Sequence, residues 1–156
     1  MSMQLASRPG PQPLRIPATE TAMDRCLHYR QKLGLPAVIA PGTERIIVHC
    51  LDGRIGAVIA PAALCTSATE QLGTGLVITH PRSSRMTFLT KPGPHPDIEP
   101  LSRTLLLCNI AVDTTWVVLP SPFDEQYGYR RWVAPPSSGT LLPMLTVLGA
   151  ILAGHR

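Results

Sequence analysis

The apolar residues of this chain fall into blocks with two different repeats, and the repeat in each block names the element it forms. Over TETAMDRCLHYRQKLG, residues 19–34, the positions Met23, Cys26, Leu27, Arg30 and Leu33 recur at helical spacing. Thr21 with Asp24 three residues later predicts a capping box at its start, and Gly34 followed by Pro36 predicts its stop. Ile46–Leu51 and Ile55–Ala60 are rich in β-branched residues, and Asp52-Gly53-Arg54 between them predicts a tight hairpin. Pro61 suits the first turn of a helix to about Leu72, closed by Gly73 and Gly75.

The centre of the predicted fold is GLVITHPRSSRMTF, residues 75–88. It is an apolar strand, a basic proline turn that cannot continue a ladder, and a second strand carrying Met86 and Phe88. Leu105–Val112 and Trp116–Leu119 predict another strand pair around Asp113-Thr114-Thr115. PSPFDEQYGYR predicts a loop, Arg131–Val133 a short strand, and Thr140–Gly154 an apolar helix. That helix is shorter than the roughly 20 apolar residues a bilayer crossing needs, so it belongs to a core or an interface rather than a membrane. Two stretches lack a repeat. Met1–Ala18 carries Pro9, Pro11, Pro13 and Pro17 and predicts a tail that is mobile unless it docks. Lys91–Pro100 holds four prolines and predicts a loop. The expected organisation is that tail, 1–18, and a single α+β domain, 19–156, with a mostly antiparallel sheet and helices packed on it.

Composition narrows the function classes. The chain has 156 residues, 44% of them hydrophobic, enough for a real core. Only 15% are charged, below the usual quarter of a soluble domain, so much of the surface is neutral or covered by a partner. The formal charge is +4. The arginines are scattered, with no Lys/Arg run of the kind that marks a nucleic-acid arm. Cys26, Cys50, Cys65 and Cys108 form no CxxC pair, and Met1–Ala18 has no charged-then-apolar leader. Both point to a cytoplasmic chain with reduced, largely buried thiols. His49-Cys50 and Cys26-Leu27-His28 lack a second ligand pair at metal spacing, so neither metal nor cofactor is expected.

Candidate chemistry gathers in the basic turn. Arg82, Ser83 and Ser84 can donate hydrogen bonds to an anion, with Arg85 just behind. If they serve one anion, the two guanidiniums should converge on one point; otherwise the turn is a solvated hairpin whose arginines confer solubility. Ser83 and Ser84 lie beside His80, but no GxSxG elbow or orienting acid accompanies them, which argues against a nucleophilic triad. Asp124 and Glu125, beside Tyr127 and Tyr129, form an acidic loop whose simplest role is surface.

In order and spacing, IGAVIAPAAL, GLVITHPRSSRMTFLT, WVVLPSP and YGYRRWVAPP resemble segments of actinobacterial proteins related to the bifunctional primase/polymerase N-terminal domain, in the archaeo-eukaryotic primase superfamily. The resemblance runs from about Met23 to Pro136 and implies a primase/polymerase-like fold. Nucleotidyl transfer in that family uses paired carboxylates at a strand end to hold two divalent cations, because hard metals and triphosphates need anionic oxygen ligands. The corresponding strand here ends Val58-Ile59-Ala60-Pro61, with no Asp or Glu. The family's turn arginine is kept as Arg85, but its following histidine is Met86. A later acidic position falls near Asn109 and a basic one near Ala111, and Asp113 alone cannot assemble a two-metal site. The resemblance therefore implies the scaffold without the catalysis, a pseudo-enzyme.

Two functional expectations follow. The first is a protein-binding or regulatory module, meeting a protein partner or a second copy through Trp116, Tyr127, Tyr129 and Trp132 and through Leu145 and Leu148 of the last helix. The alternative is a nucleotide- or nucleic-acid-binding domain placing Arg82, Ser83, Ser84, Arg85, Arg130 and Arg131 on phosphates. An aromatic content of 4% favours the first, because single-strand binders combine a basic groove with several stacking rings.

Overall fold

The computed structural model describes residues 19–73, 75–93, 101–112 and 115–155. The predicted tail Met1–Ala18, Asp113, and residues 94–100 of the proline loop lie outside them. The first helix, α1 (Ala22–Leu33), forms where its caps direct. The Thr21 hydroxyl accepts from the Asp24 N–H, the Asp24 carboxylate accepts from the Thr21 N–H, each at 3.1 Å, and Gly34 ends it at φ 65°. Its buried residues Cys26, Tyr29 and Leu33 make one stripe.

The strands and helices that follow are β1 (Val38–Ile39), β2 (Ile46–His49), β3 (Gly56–Pro61), α2 (Ala62–Leu72), β4 (Val77–His80) and β5 (Arg85–Thr90). Then come α3 (Leu101–Leu107), β6 (Ala111–Val112), β7 (Trp116–Leu119), α4 (Pro122–Tyr127), β8 (Arg131–Trp132) and α5 (Met144–Ala153). The fold is α+β. Two antiparallel sheets run in the orders β1-β2-β7 and β6-β3-β5-β4-β8.

The five-stranded sheet is the middle layer, and side-chain alternation along its strands divides the core. Ile55, Ala57, Ile78 and Leu89 face α1 and the smaller sheet, joining Tyr29, Val48, Val117 and Leu119. Val58, Ala60, Val77 and Phe88 face the helices, joining Cys65 and Ala68 of α2, Leu105 of α3, and Val147, Leu148 and Ile151 of α5.

Three predicted elements are corrected. Asp52-Gly53-Arg54 is a turn but not a hairpin, because β2 pairs with β1 and β7 while β3 pairs with β5 and β6. Ile46–Val48 and Gly56–Val58 are buried without alternation, so each strand is covered on both faces and its pattern names no partner. Of Leu105–Val112 only the end, β6, is a strand, and it pairs with β3 while Trp116–Leu119 pairs with β2, so the two make no strand pair. The start of Leu105–Val112 belongs to α3, because a leucine-rich apolar run without β-branched residues suits a helix as well as a strand. Pro122–Tyr127 is a helix rather than loop. Ser121 and Asp124 make a second capping box, Pro122 stands in the first turn, and Gly128 closes it at φ 69°.

A fourth correction concerns the apolar C-terminal helix. Leu148 is 2% exposed and cannot meet a partner, because Met144, Val147, Leu148 and Ile151 form the stripe that α5 packs into the core. Leu145 lies off that stripe at 54% exposure. Among the described residues no helix is long and apolar enough to cross a membrane.

Candidate anion-binding cleft between the two sheets

Ladder register decides which polar side chains share the inner face of the five-stranded sheet. His80 pairs with Arg85, and Thr87 stands opposite both Ile59 and Ile78, so Ile59, His80, Arg85 and Thr87 fall on the face turned to the smaller sheet. Near the β4–β5 turn the two sheets separate and leave a cleft of about 200 Å³, closed on its far side by Trp116, Val117 and Val118 of β7 and by Arg130. Ser83, from the turn, completes the wall.

His80 lines this cleft. Its Nε2 lies 2.8 Å from the Thr87 hydroxyl. Burial, followed by the guanidiniums of Arg130 and Arg85, holds the imidazole below its ordinary pKa, and the Asp124 carboxylate opposes them only weakly. Arg85 donates from Nη2 to the carbonyls of Asn109 at 2.9 Å and Ile59 at 3.4 Å. Asn109 presents its carbonyl there from a left-handed backbone, φ 57°, just past the end of α3. Arg130 donates to Asp124 Oδ1 at 3.0 Å, and Asp124 Oδ2 accepts from the Ser121 N–H, so this carboxylate is shared between a cation and a helix cap.

The basic turn does not act as one unit. Arg82 leaves the cleft, donates to the Tyr127 carbonyl at 3.1 Å and lies 3.9 Å above the Tyr129 ring. That ring stacks on Phe123 with 11° between planes, so Arg82 ties α4 to the turn. Ser84 takes φ 53° and gives its carbonyl to the Ala62 N–H at the start of α2. The Ser83 hydroxyl donates to the His80 backbone carbonyl and makes no dyad with the imidazole.

Arg131 stands in a different hollow, of about 560 Å³, with Arg25, His28, Glu125 and Trp132. Trp132 is committed there: its indole N–H donates to the Tyr29 hydroxyl at 3.0 Å, and that hydroxyl donates to the Pro120 carbonyl at 2.5 Å. Of the candidate anion ligands the fold therefore gathers Ser83, Arg85 and Arg130, and it leaves Arg82, Ser84 and Arg131 outside. His80 and Thr87 join them, and only the two-residue alternation of β4 and β5 could have revealed it. Of the aromatic candidates, Trp116 lines the cleft, while Tyr127, at the end of α4, and Tyr129, just past its cap, are exposed.

Val58 and Ala60 point into the helix-side core, Ile59 lines the cleft, and Met86 packs on the face opposite Arg85. Among the described residues no three His, Cys, Asp or Glu side chains come together as metal ligands. The four cysteines are free thiols, and burial pushes Cys65 up to about 11. No protein-family model, curated protein or solved structure matches this chain.

Proposed function

We propose that this chain is a non-catalytic binding module on a primase/polymerase-like scaffold, acting as a regulatory partner, and that its ligand is an anionic group of another protein held in the cleft between the sheets. The observation that carries the reading is the gathering of Arg85, Arg130 and Ser83 about the His80 imidazole. Two guanidiniums within electrostatic reach of one imidazole resist further positive charge, and an anion among them replaces repulsion with attraction. Each hydrogen bond from a guanidinium to such an anion contributes about 1.5–3 kcal/mol. The same charge opposes a divalent cation, and Val58, Ile59, Ala60 and Asn109 offer it no carboxylate. Both points favour binding without catalysis.

A second reading places a nucleic-acid phosphate in the cleft. The specific observation in its favour is Trp116, an indole 55% exposed at the cleft, the type of ring on which bases stack. Anisotropy titrations with a labelled glutamate-rich peptide and labelled single-stranded DNA, with ATP as competitor and across a salt series, test both readings. Arg85→Ala should weaken the bound probe by about 10-fold, a loss of one charged hydrogen bond. Arg82→Ala should leave affinity unchanged, because its guanidinium lies outside the cleft, against Tyr129 and the Tyr127 carbonyl. Absence of binding by every probe, or equal binding by Arg85→Ala and the parent, overturns the reading. Primer extension with magnesium or manganese should give no product above blank; incorporation abolished by Arg85→Ala would restore catalysis to the scaffold.

A further inference from the structure

We infer that the partner's anionic segment enters the cleft as an extended strand and pairs with β7 at Val118, so that the smaller sheet gains a fourth strand. This rests on the anion-cleft reading and names its ligand as an acidic, extended peptide. Three consecutive residues of β7, Trp116, Val117 and Val118, line the cleft. Side chains of a strand alternate between faces, so a wall of three successive residues is the strand's edge, with its backbone.

The ladder shows which backbone groups face outward. The Cys50 N–H donates to the Thr115 carbonyl at 3.0 Å, and the register then makes Val48 and Val117 a hydrogen-bonded pair and Ile47 and Val118 a non-bonded one. The N–H and C=O of Val118 therefore point away from β2, into the cleft. Among the described residues neither has a hydrogen-bond partner on that side. Two residues on, the Pro120 carbonyl is taken by the Tyr29 hydroxyl, and proline has no N–H to offer. The accessible pair of groups at Val118 lies just before a natural stop, which suits a brief segment rather than a long strand. A strand beside β7 lies about 4.8 Å from it. That places its side chains within the cleft walled by Arg85, Arg130 and Ser83, where a carboxylate complements the charge. Main-chain bonds to Val118 supply affinity, and the arginines select an acidic residue.

The test uses the intact protein and a heptapeptide alternating threonine and glutamate, two analogues N-methylated on alternate amides in the two possible settings, inorganic phosphate and oligo-dT. The peptide should bind, and at least one methylated analogue should bind about 10-fold more weakly. Hydrogen exchange at the Val118 amide should slow about 10-fold with the peptide and stay unchanged with phosphate. Equal binding of all three peptides, or a Val118 amide that the peptide does not protect, overturns strand addition while an Arg85-dependent competition by phosphate leaves the anion cleft standing. Oligo-dT binding more tightly than the peptide assigns the cleft to nucleic acid and overturns the inference. Failure of phosphate and every other probe to bind removes the anion cleft itself.

Discussion

Pro120 and Val118 both turn a carbonyl away from β2, yet one is sealed and the other is open. At Pro120 the Tyr29 hydroxyl closes the edge, and the Trp132 indole donates to the same hydroxyl, so every polar group there is satisfied from within. The Tyr29 ring is 1% exposed and packs edge-on against Trp132. At Val118 the groups that share the cleft are instead His80, Arg85 and Arg130, charged or chargeable and only partly buried. The difference separates a structural polar site from a receptive one. A buried polar cluster that completes its own hydrogen bonds specifies the fold, whereas one left with cationic donors along a cleft has chemistry to spend on a ligand.

The largest expected effect lies at the sealed end. Tyr29→Ala should cost about 3–5 kcal/mol, the range for emptying a buried aromatic site, and Tyr29→Phe about 1–3 kcal/mol for stranding the Pro120 carbonyl and Trp132 N–H. Urea denaturation measures both, and a neutral Tyr29→Phe would erase the contrast between the two points. Gly139→Ala should follow, at about 1–3 kcal/mol by overpacking, because its Cβ would land on the Leu33 carbonyl oxygen at the end of α1. A parent-like unfolding midpoint would show that this segment yields freely.

Asp124→Asn should move stability and binding in opposite directions. Losing the carboxylate shared by the α4 cap and Arg130 should cost about 1 kcal/mol of stability while it strengthens anion binding in the cleft, since Arg130 is no longer neutralised. Calorimetry and the anisotropy titration give the two numbers. Affinity that falls with stability would make Arg130 a purely structural cation.

The smallest effect is in pH dependence. The His80 imidazole is held below its ordinary value of 6.5, so as pH falls the unfolded chain takes up the proton first. Its contribution to stability is full above about 6.5 and is lost below it, until the folded imidazole protonates in turn. Glu20, Asp24 and Asp52, also held low by their hydrogen bonds, lose theirs only further down, below ordinary values of 4.5, 3.8 and 3.8. Melting curves between pH 7.5 and 5 should fall in the parent and flatten in His80→Gln. A ligand anion raises the imidazole pKa, so affinity should rise over the same interval as pH falls; an unchanged affinity would place the anion away from His80.

Much of this architecture was legible along the chain. Thr21 with Asp24 and the closing Gly34 set α1, because a helix end must satisfy its own backbone donors locally. The basic proline turn between Val77–His80 and Arg85–Thr90 likewise set one hairpin, since a strand, a breaker and a strand with few residues between have few other ways to pair. The signals for α4 were also present in Ser121, Pro122 and Asp124, and were outweighed by the density of prolines and glycines around them. Strand partnership was not legible. Ile46–Val48 and Gly56–Val58 are buried on both faces, and nothing in a doubly buried run tells which of several strands lies beside it. That choice depends on residues distant in sequence, and it was made when the chain crossed at Asp52-Gly53-Arg54 from one sheet to the other. The cleft follows from the same crossing. Sequence alone determined that Ser83, Arg85 and Arg130 carry donors for an anion. The tertiary structure decided that Arg82 turns to Tyr129, that Arg85 and Arg130 close on His80, and that the edge of β7 faces them, because contacts between sheets are set by packing rather than by spacing along the chain.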